Sequence, residues 1–259
     1  MGLYSVIRKI TRSFGYDILT VNRADELCFA GRIPYLTEEQ KRIIEFCRPF
    51  TQTTKESLFA LVRSVEYLAG NKIPGSFVEC GVWRGGSIMA MAMALDACRD
   101  QRELFLFDTF LGMPASDPVD VDLDGNNETW YRKHSHRHMG FGQDKDWNAS
   151  PIAEVKKNIA SLKDTRQKFH YIEGLVEETI PATVPETIAL LRLDTDFYAS
   201  TRHELMHLFP RITKGGVLII DDYGHFLGAR RAVDEYFKEH QIKILMRRID
   251  YTGIIGLRY

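Results

Sequence analysis

Two acidic clusters follow two short apolar runs in this chain. Asp194 and Asp196 follow the run 188–193, and Asp221 and Asp222 follow the run 216–220. Both runs have the length and composition of buried strands. Ligands bind outside the carboxyl ends of the strands in an open parallel sheet, so we expect these carboxylates to meet in one crevice. Such a group is unfavourable unless a cation, a proton or a basic partner neutralises it, and we interpret it as a hard-metal site in a catalytic crevice.

A glycine-rich turn follows the predicted strand 76–80 and precedes a predicted helix. Its glycines let the backbone approach a ligand, and the helix start offers unpaired N–H groups. Trp83 stands where a dinucleotide fingerprint has its second glycine, which argues against a nicotinamide or flavin pyrophosphate. Asp108 ends the next strand, where an acid can bind both hydroxyls of a ribose, and Glu79 is placed to meet an ammonium group. These features predict an S-adenosylmethionine site; the alternative is a turn that glycines shape and Asp108 caps.

Strands alternate with helices from residue 75 onward. The predicted strands are 76–80, 103–108, 170–174, 188–193 and 216–220, and the predicted helices are 55–69, 87–98, 151–162 and 229–240. This alternation predicts an α/β fold with a doubly wound, mostly parallel sheet. The runs 242–246 and 253–257 predict an antiparallel hairpin at the C-terminal edge of the sheet.

Two segments depart from this alternation. Residues 1–50 are predicted to be a helical segment that caps the domain or contacts a second subunit, with a membrane-surface helix as the alternative. Within it, Thr37 to Gln40 resembles a capping box. In the domain 51–259, the polar stretch 113–148 is predicted to be a lid insertion. A zinc site is the alternative there, because the insertion contains His134, His136 and His138.

Composition narrows the function further. The chain has 34 basic and 35 acidic residues among 259, so it carries no basic excess of the kind that nucleic-acid binding requires. No apolar stretch approaches the roughly 18 residues of a membrane span, so no membrane insertion is predicted. The 4 cysteines contain no C-x-x-C pair and are predicted to be reduced, buried thiols of a cytoplasmic protein.

Several motifs together resemble the macrocin O-methyltransferase family. The resemblance is carried by residues 81–86, 107–114, 191–201 and 215–223, and it covers the chain from about Thr51 to the C terminus. It implies the class I methyltransferase (Rossmann-like) version of the sheet. It also implies S-adenosylmethionine- and magnesium-dependent methylation of a sugar hydroxyl, on a glycosylated natural product or glycan precursor. We expect a homo-oligomer, a dimer or larger.

The resemblance also implies roles for individual residues. Asp194, Asp221 and Asp222 would hold magnesium, which favours a developing alkoxide, and Asp196 would be the general base that receives the hydroxyl proton. Asp194 and Asp196 would share one face if the backbone were extended there. The implied cofactor contacts are Glu79, Gly81, Val82, Trp83, Arg84, Ser87, Asp108, Thr109, Gly174, Leu175 and Asp194.

Two other functions fit the same motifs. An O-methyltransferase of a catechol or another small phenol would use similar metal chemistry, and an aromatic-lined acceptor pocket would favour it over a sugar. The other alternative is a non-catalytic cofactor-binding subunit. The acidic residues at positions 79, 108, 194, 196, 221 and 222 are all present, which argues against lost chemistry.

Overall fold

The structure is a computed structural model that describes residues 35–134 and 148–259, together with Ile7, Thr11 and Ile33. Most of the predicted N-terminal segment 1–50 therefore lies outside the described residues, and so do His136 and His138, so the zinc alternative stays a prediction. No helix in the described ranges is long and apolar enough to cross a membrane.

Seven strands form one sheet in the described part of the chain. They are β1 (Ser76–Cys80), β2 (Glu103–Asp108), β3 (Lys168–Glu173), β4 (Ile188–Leu193), β5 (Ile212–Ile220), β6 (Met246–Arg248) and β7 (Ile254–Leu257). Their order is β3-β2-β1-β4-β5-β7-β6, in which β1 to β5 are parallel and β7 is antiparallel to both neighbours. The predicted sheet and its edge hairpin are confirmed, although the first hairpin strand begins at Met246 rather than Ile242.

Helices cover both faces of this sheet. They are α1 (Glu38–Cys47), α2 (Lys55–Gly70), α3 (Gly86–Ala97), α4 (Glu128–His134), α5 (Ile152–Ala160), α6 (Val176–Thr179), α7 (Tyr198–Leu208) and α8 (Leu227–Glu239). One apolar cluster joins the sheet to α1, α2, α3 and α5, and a second joins it to α6, α7 and α8. The capping box of Thr37 and Gln40 is present at the start of α1.

Helix α7 lies between the two acidic clusters in the sequence, and the apolar pattern did not predict it. Its buried face carries Ser200, Thr201 and Glu204 beside Leu205 and Leu208. Polar residues on the buried side remove the periodic apolar stripe on which sequence reasoning depends. A polar buried face also requires hydrogen-bond partners, and α7 finds them in the turn that follows β4.

Strand register brings the ends of β1, β4 and β5 into line. Cys80 pairs with Leu193, and Leu193 pairs with Ile220. The pairing continues by one residue, since the Asp194 N–H donates to the Cys80 carbonyl and the Asp221 N–H to the Leu193 carbonyl, each at 2.9 Å. The chain leaves β1 towards β2 on one side and β4 towards β5 on the other, which makes this point a topological switch where ligands bind. Both acidic clusters therefore lie at the switch point.

The cysteines agree with the prediction in part. Cys47 and Cys80 are buried free thiols, whereas Cys98 is exposed, and Cys28 lies outside the described residues. The prediction of burial is wrong for Cys98 because this residue caps the end of α3, where the chain reaches the surface.

Candidate active site

A cavity of about 550 Å³ opens at the carboxyl ends of the parallel strands. Most of the residues predicted to bind cofactor or metal line it: Gly81, Val82, Trp83, Ser87, Asp108, Thr109, Gly174, Leu175, Asp194, Asp196, Asp221 and Asp222. Two predicted cofactor residues, Glu79 and Arg84, are absent from this lining. The structure therefore gathers residues from five separate strand ends around one cavity.

Three carboxylates converge on one side of the cavity. One oxygen from each of Asp194, Asp221 and Asp222 lies within 4.8 Å of the other two. Burial, followed by repulsion between neighbouring carboxylates, raises the pKa of Asp194 and Asp221 to about 7 and the pKa of Asp222 well above its usual range. The Asp222 Oδ2 atom is buried and accepts no hydrogen bond from the described residues. An unpartnered carboxylate oxygen in such a set fits a hard divalent cation such as magnesium.

A buried arginine, Arg192, neutralises part of this charge. Its Nη1 donates to Glu79 Oε1 and to Asp194 Oδ2, each at 2.7 Å, and its Nη2 donates to Thr53 Oγ1 at 3.0 Å. The same Nη2 lies 2.9 Å from Asp221 Oδ1. These carboxylates hold the Arg192 pKa well above its usual value despite burial. Sequence reasoning missed this residue, although an arginine inside an apolar strand requires acidic partners when it is buried.

Glu79, predicted to meet an ammonium group, is paired with Arg192 in the structure. It is 1% exposed and its carboxylate is paired with Arg192, so it does not face the cavity where an ammonium group would lie. Burial raises the Glu79 pKa to about 8, which is a larger effect than the opposing one of Arg192. Its Oε2 accepts no hydrogen bond from the described ranges of the chain. The predicted ammonium contact of Glu79 stays a prediction, and in this structure Arg192 lies between Glu79 and the acidic cluster.

Asp196 sits in a tight turn at the end of β4. The Phe197 N–H donates to the Thr195 carbonyl at 2.7 Å, and Asp196 at the centre of this γ-turn has a φ of +64°. The expectation of an extended backbone here is wrong, yet Asp194 and Asp196 both line the cavity. The Asp196 carboxyl contacts Asp222, and burial raises its pKa to about 7. A carboxyl group with this pKa, beside the three converging acids, is suited to proton transfer.

Asp108 organises the glycine-rich turn. Its Oδ2 accepts the N–H groups of Val82 at 2.6 Å and Trp83 at 3.0 Å, and its Oδ1 accepts the Phe110 N–H at 2.6 Å. The capping role that the sequence left as an alternative is therefore present. Asp108 also lines the cavity, and its Oδ1, which accepts one hydrogen bond, can accept another, so the predicted ribose contact stays a prediction.

Gly81 and Arg84, two other residues of this turn, were also predicted to contact the cofactor. Gly81 has a φ of +82°, and a Cβ atom there would lie 1.9 Å from the Asp194 carbonyl oxygen, so glycine is required. The Arg84 side chain points elsewhere, since its Nε donates to Glu154 at 2.8 Å and its Nη1 to the Pro49 carbonyl at 3.2 Å. The predicted cofactor contact of Arg84 is therefore not supported by the position of its side chain.

The described part of the insertion, residues 113–134, packs beside the acidic cluster. Asp120, 1% exposed, accepts the Tyr198 N–H at 2.7 Å, which satisfies the first residue of α7. The Leu227 N–H at the start of α8 donates to the Val121 carbonyl at 2.9 Å. The insertion is thus bonded to both helices that follow the acidic clusters. In this structure it forms a wall of the cavity rather than a structureless segment, and its predicted movement as a lid stays a prediction.

A chain of hydrogen bonds extends from this wall to the C-terminal hairpin. Tyr131 Oη donates to Asp122 Oδ2 at 2.7 Å, His225 Nε2 donates to Tyr131 Oη at 2.8 Å, and Tyr251 Oη donates to His225 Nδ1 at 2.9 Å. The direction follows because several hydrogen bonds hold the Asp122 pKa below its usual value, so this carboxylate only accepts. Burial lowers the His225 pKa, which agrees with a neutral imidazole. Of these groups, Tyr131 and His225 line the cavity, and with Phe226 they give this side of it an aromatic and polar surface.

Known proteins are similar to this chain in sequence and fold. The family model for macrocin O-methyltransferase (TylF) matches residues 39–257. Demethyldecarbamoylnovobiocin O-methyltransferase of Streptomyces niveus is 33% identical over 196 residues, which are 75% of this chain and 70% of that protein. The 8-demethyl-8-(2,3-dimethoxy-alpha-L-rhamnosyl)-tetracenomycin-C 4'-O-methyltransferase of Streptomyces olivaceus is 33% identical over 193 residues, 73% of this chain and 68% of that protein. The solved structure of the O-methyltransferase NovP superposes with a TM-score of 0.67 at 31% identity and covers 81% of this chain and 82% of that chain.

Proposed function

The chain belongs to the macrocin O-methyltransferase family and is an S-adenosylmethionine-dependent O-methyltransferase of the class I fold, and we propose that it methylates a sugar hydroxyl of a glycosylated natural product. The acceptor class is supported by the relative from Streptomyces olivaceus, whose name describes methylation of a substituted rhamnosyl group. The single observation that carries the chemistry is the convergence of Asp194, Asp221 and Asp222 at the switch point, with Asp196 in contact with Asp222.

We propose that Asp194, Asp221 and Asp222 hold magnesium. Support comes from the buried Oδ2 atom of Asp222, which accepts no hydrogen bond from the described ranges, and from its closeness to Asp194 and Asp221. Magnesium, when bound, supplies positive charge that makes an acceptor hydroxyl easier to deprotonate. Arg192 supplies only one positive charge for the four carboxylates of Glu79, Asp194, Asp221 and Asp222, so the cluster has capacity for a further cation.

Asp196 is the proposed general base. It contacts Asp222 but is not one of the three converging carboxylates, and it lines the cavity, where an acceptor would bind. S-adenosylmethionine, when bound, supplies the methyl group from a sulfonium. As the carbon–sulfur bond breaks and the carbon–oxygen bond forms, Asp196 takes the hydroxyl proton. The residues that line the cavity orient the two reactants, and orientation contributes much of the rate enhancement in such a transfer.

The proposed cofactor contacts are the predicted residues that line the cavity. They are Gly81, Val82, Trp83, Ser87, Asp108, Thr109, Gly174, Leu175 and Asp194. Glu79 and Arg84 are left out, because their side chains bond to Arg192 and Glu154 instead. Homo-oligomeric assembly and a cytoplasmic location stay predictions from the sequence.

A phenolic acceptor is the second candidate, and the aromatic part of the cavity is what favours it. Phe197, Phe226 and Tyr131 line the side that carries the acidic cluster. Asp120 and His225 line the same side and favour an acceptor with several hydroxyl groups. Aromatic faces also pack against sugar rings, so the mixed surface agrees with the glycoside proposal.

The test is methyl transfer from labelled S-adenosylmethionine to three matched acceptor sets: rhamnosylated natural products, their aglycones and simple catechols. We expect transfer to the glycosides only, lost with chelator and restored by magnesium. Asp196→Asn is the matched inactive control. Transfer to catechols and aglycones alone would replace the sugar by a phenol. Cofactor binding by calorimetry without transfer to any set would favour the non-catalytic subunit, and full turnover in excess chelator would remove magnesium from the proposal.

A further inference from the structure

A buried carboxyl group that the proposed mechanism does not use lies against the turn that follows β4. Glu204, on α7, is 0% exposed. Its two carboxyl oxygens lie 3.1 and 3.2 Å from Thr195 Oγ1, which donates a hydrogen bond to this group. Thr195 stands between Asp194 and Asp196, the proposed metal ligand and the proposed base. Glu204 is therefore bonded to the one residue that separates the two proposed roles.

The same carboxyl group also contacts β1. The Cys80 thiol, at the last residue of β1, lies beside the Glu204 carboxyl group. Cys80 immediately precedes Gly81, the first residue of the glycine-rich turn, and pairs in register with Leu193. Glu204 thus connects the ends of β1 and β4 from the buried side, at the two strands between which the switch point lies. Its contacts join the glycine-rich turn to the turn of Asp194 and Asp196.

The environment of Glu204 favours its neutral form. In the described part of the chain, no basic side chain forms an ion pair with it. Burial, with smaller contributions from Glu177 and Asp194, raises the Glu204 pKa well above its usual range. A neutral carboxyl group has one donor and one acceptor side, and glutamine imitates it in size and hydrogen bonding.

We propose that Glu204 is a positioning residue: through its bond to Thr195 it holds the turn that sets Asp194 and Asp196 in place relative to the glycine-rich turn. The roles of Asp194 and Asp196 rest on the proposed function. The turn requires support because Asp196 has a φ of +64°, a conformation that a residue other than glycine adopts at a cost in energy. Misplacement of a reacting group by even about 1 Å can cost about a hundredfold in rate.

The test uses four substitutions in the full chain. Thr195→Val and Glu204→Leu each remove the bond at similar volume, Glu204→Gln preserves a neutral hydrogen-bonding group, and Thr195→Ser keeps the hydroxyl. Thr213→Val is the matched control, since the Thr213 hydroxyl bonds to the Pro74 and Ile188 carbonyls at the opposite end of the sheet. For each protein we would measure the free energy of unfolding, Mn²⁺ affinity by calorimetry, and kcat and KM for the acceptor.

We expect Thr195→Val and Glu204→Leu to lower kcat and Mn²⁺ affinity about tenfold or more at temperatures where both proteins are folded, because the carboxylates lose their orientation. The double variant should be no worse than the poorer single variant, since the same bond between Thr195 and Glu204 is lost in both. Glu204→Gln and Thr195→Ser should recover both quantities. Thr213→Val should lose stability alone.

Two results would overturn the proposal. The first is a loss of stability in Thr195→Val and Glu204→Leu with unchanged kcat and Mn²⁺ affinity, which would make Glu204 structural only. The second is Glu204→Gln as impaired as Glu204→Leu. Both differ from failure of the proposed function, in which the wild-type protein itself would bind no Mn²⁺ and transfer no methyl group.

Discussion

Replacement of Arg192 by methionine should destabilise the metal-free protein strongly. The guanidinium is 2% exposed and contacts Glu79, Asp194 and Asp221, so methionine leaves three carboxylates, the fully buried Glu79 among them, without their cation. Lysine at the same position keeps the charge but offers one ammonium in place of a planar group with five N–H donors. The two variants therefore separate the effect of charge from the effect of geometry.

The magnitude follows from these contacts. At about 4 Å and an effective dielectric constant of about 20, one pair of unit charges interacts by roughly 4 kcal/mol, against which the desolvation of both groups must be set. Removal of one partner of a buried ion pair costs about 3–5 kcal/mol, because the remaining charge is left uncompensated. We expect Arg192→Met to lose about that much. Arg192→Lys should lose about 1.5–3 kcal/mol, the value of one hydrogen bond to a charged group.

The assay is urea unfolding of protein stripped of metal, measured before and after magnesium is added. The pH is set above 7, because the pKa of Asp194 and of Asp221 is about 7. Arg102→Met is the matched control. Arg102 is also largely buried and pairs with Asp100, but it lies near the amino ends of the strands. Both variants should be destabilised, and magnesium should restore part of the stability of Arg192→Met only, since the ion would neutralise the same carboxylates.

Two results would refute this reasoning. One is an Arg192→Met variant within about 1 kcal/mol of the wild-type free energy of unfolding, which is the loss typical of an ordinary substitution. The other is magnesium stabilising Arg102→Met as much as Arg192→Met, which would mean that the ion acts away from the acidic cluster.

Three further predictions concern the same site. Asp196→Asn should lower kcat by about 10²–10⁴ with magnesium affinity unchanged, whereas Asp194→Asn should weaken magnesium binding and be partly rescued by excess metal. A magnesium titration of methyl transfer by both variants checks this, and rescue of Asp196→Asn instead would reverse the two roles. The metal-free protein should lose stability as the pH rises from about 4 to about 7. The pKa values of Asp194, Asp196 and Asp221 are raised, so the folded protein binds protons that the unfolded chain has already released. Urea unfolding across this pH range checks the sign, and a free energy of unfolding that rises with pH would contradict it. Gly81→Ala should weaken binding of both S-adenosylhomocysteine and Mn²⁺, because the new Cβ would lie 1.9 Å from the Asp194 carbonyl oxygen and must displace the turn that follows β4. Calorimetry with both ligands checks this, and unchanged affinities would show that the turn can adjust.

The sequence alone determined the strands and what stands at their ends. Apolar runs of five or six residues that close on acids or glycine predict buried parallel strands with a crevice at their carboxyl ends, and the structure confirms both the sheet and its edge hairpin. The convergence of Asp194, Asp221 and Asp222 could be predicted for the same reason, because the carboxyl ends of parallel strands lie at a common edge of the sheet.

For other residues the sequence left more than one structural role open, or gave no pattern from which to predict one. Asp108 was expected either to bind a ribose or to cap a turn, and local spacing cannot choose between the two; the structure shows the cap, with the cavity still within reach. Helix α7 was missed because its buried face carries Ser200, Thr201 and Glu204. A polar residue on a buried face depends on partners that are distant in sequence, so it gives no periodic signal.

Only the tertiary structure decided how the charges are paired. Arg192 meets Glu79 across 113 positions of sequence and Asp221 across the β4–β5 boundary, which is why Glu79 faces Arg192 rather than the cavity. The left-handed turn at Asp196 and its support by Glu204 likewise depend on α7 packing against β1 and β4. The physical reason is common to all three: local sequence specifies the backbone elements, whereas the partner of a buried charge is selected by whichever elements the fold brings into contact with it.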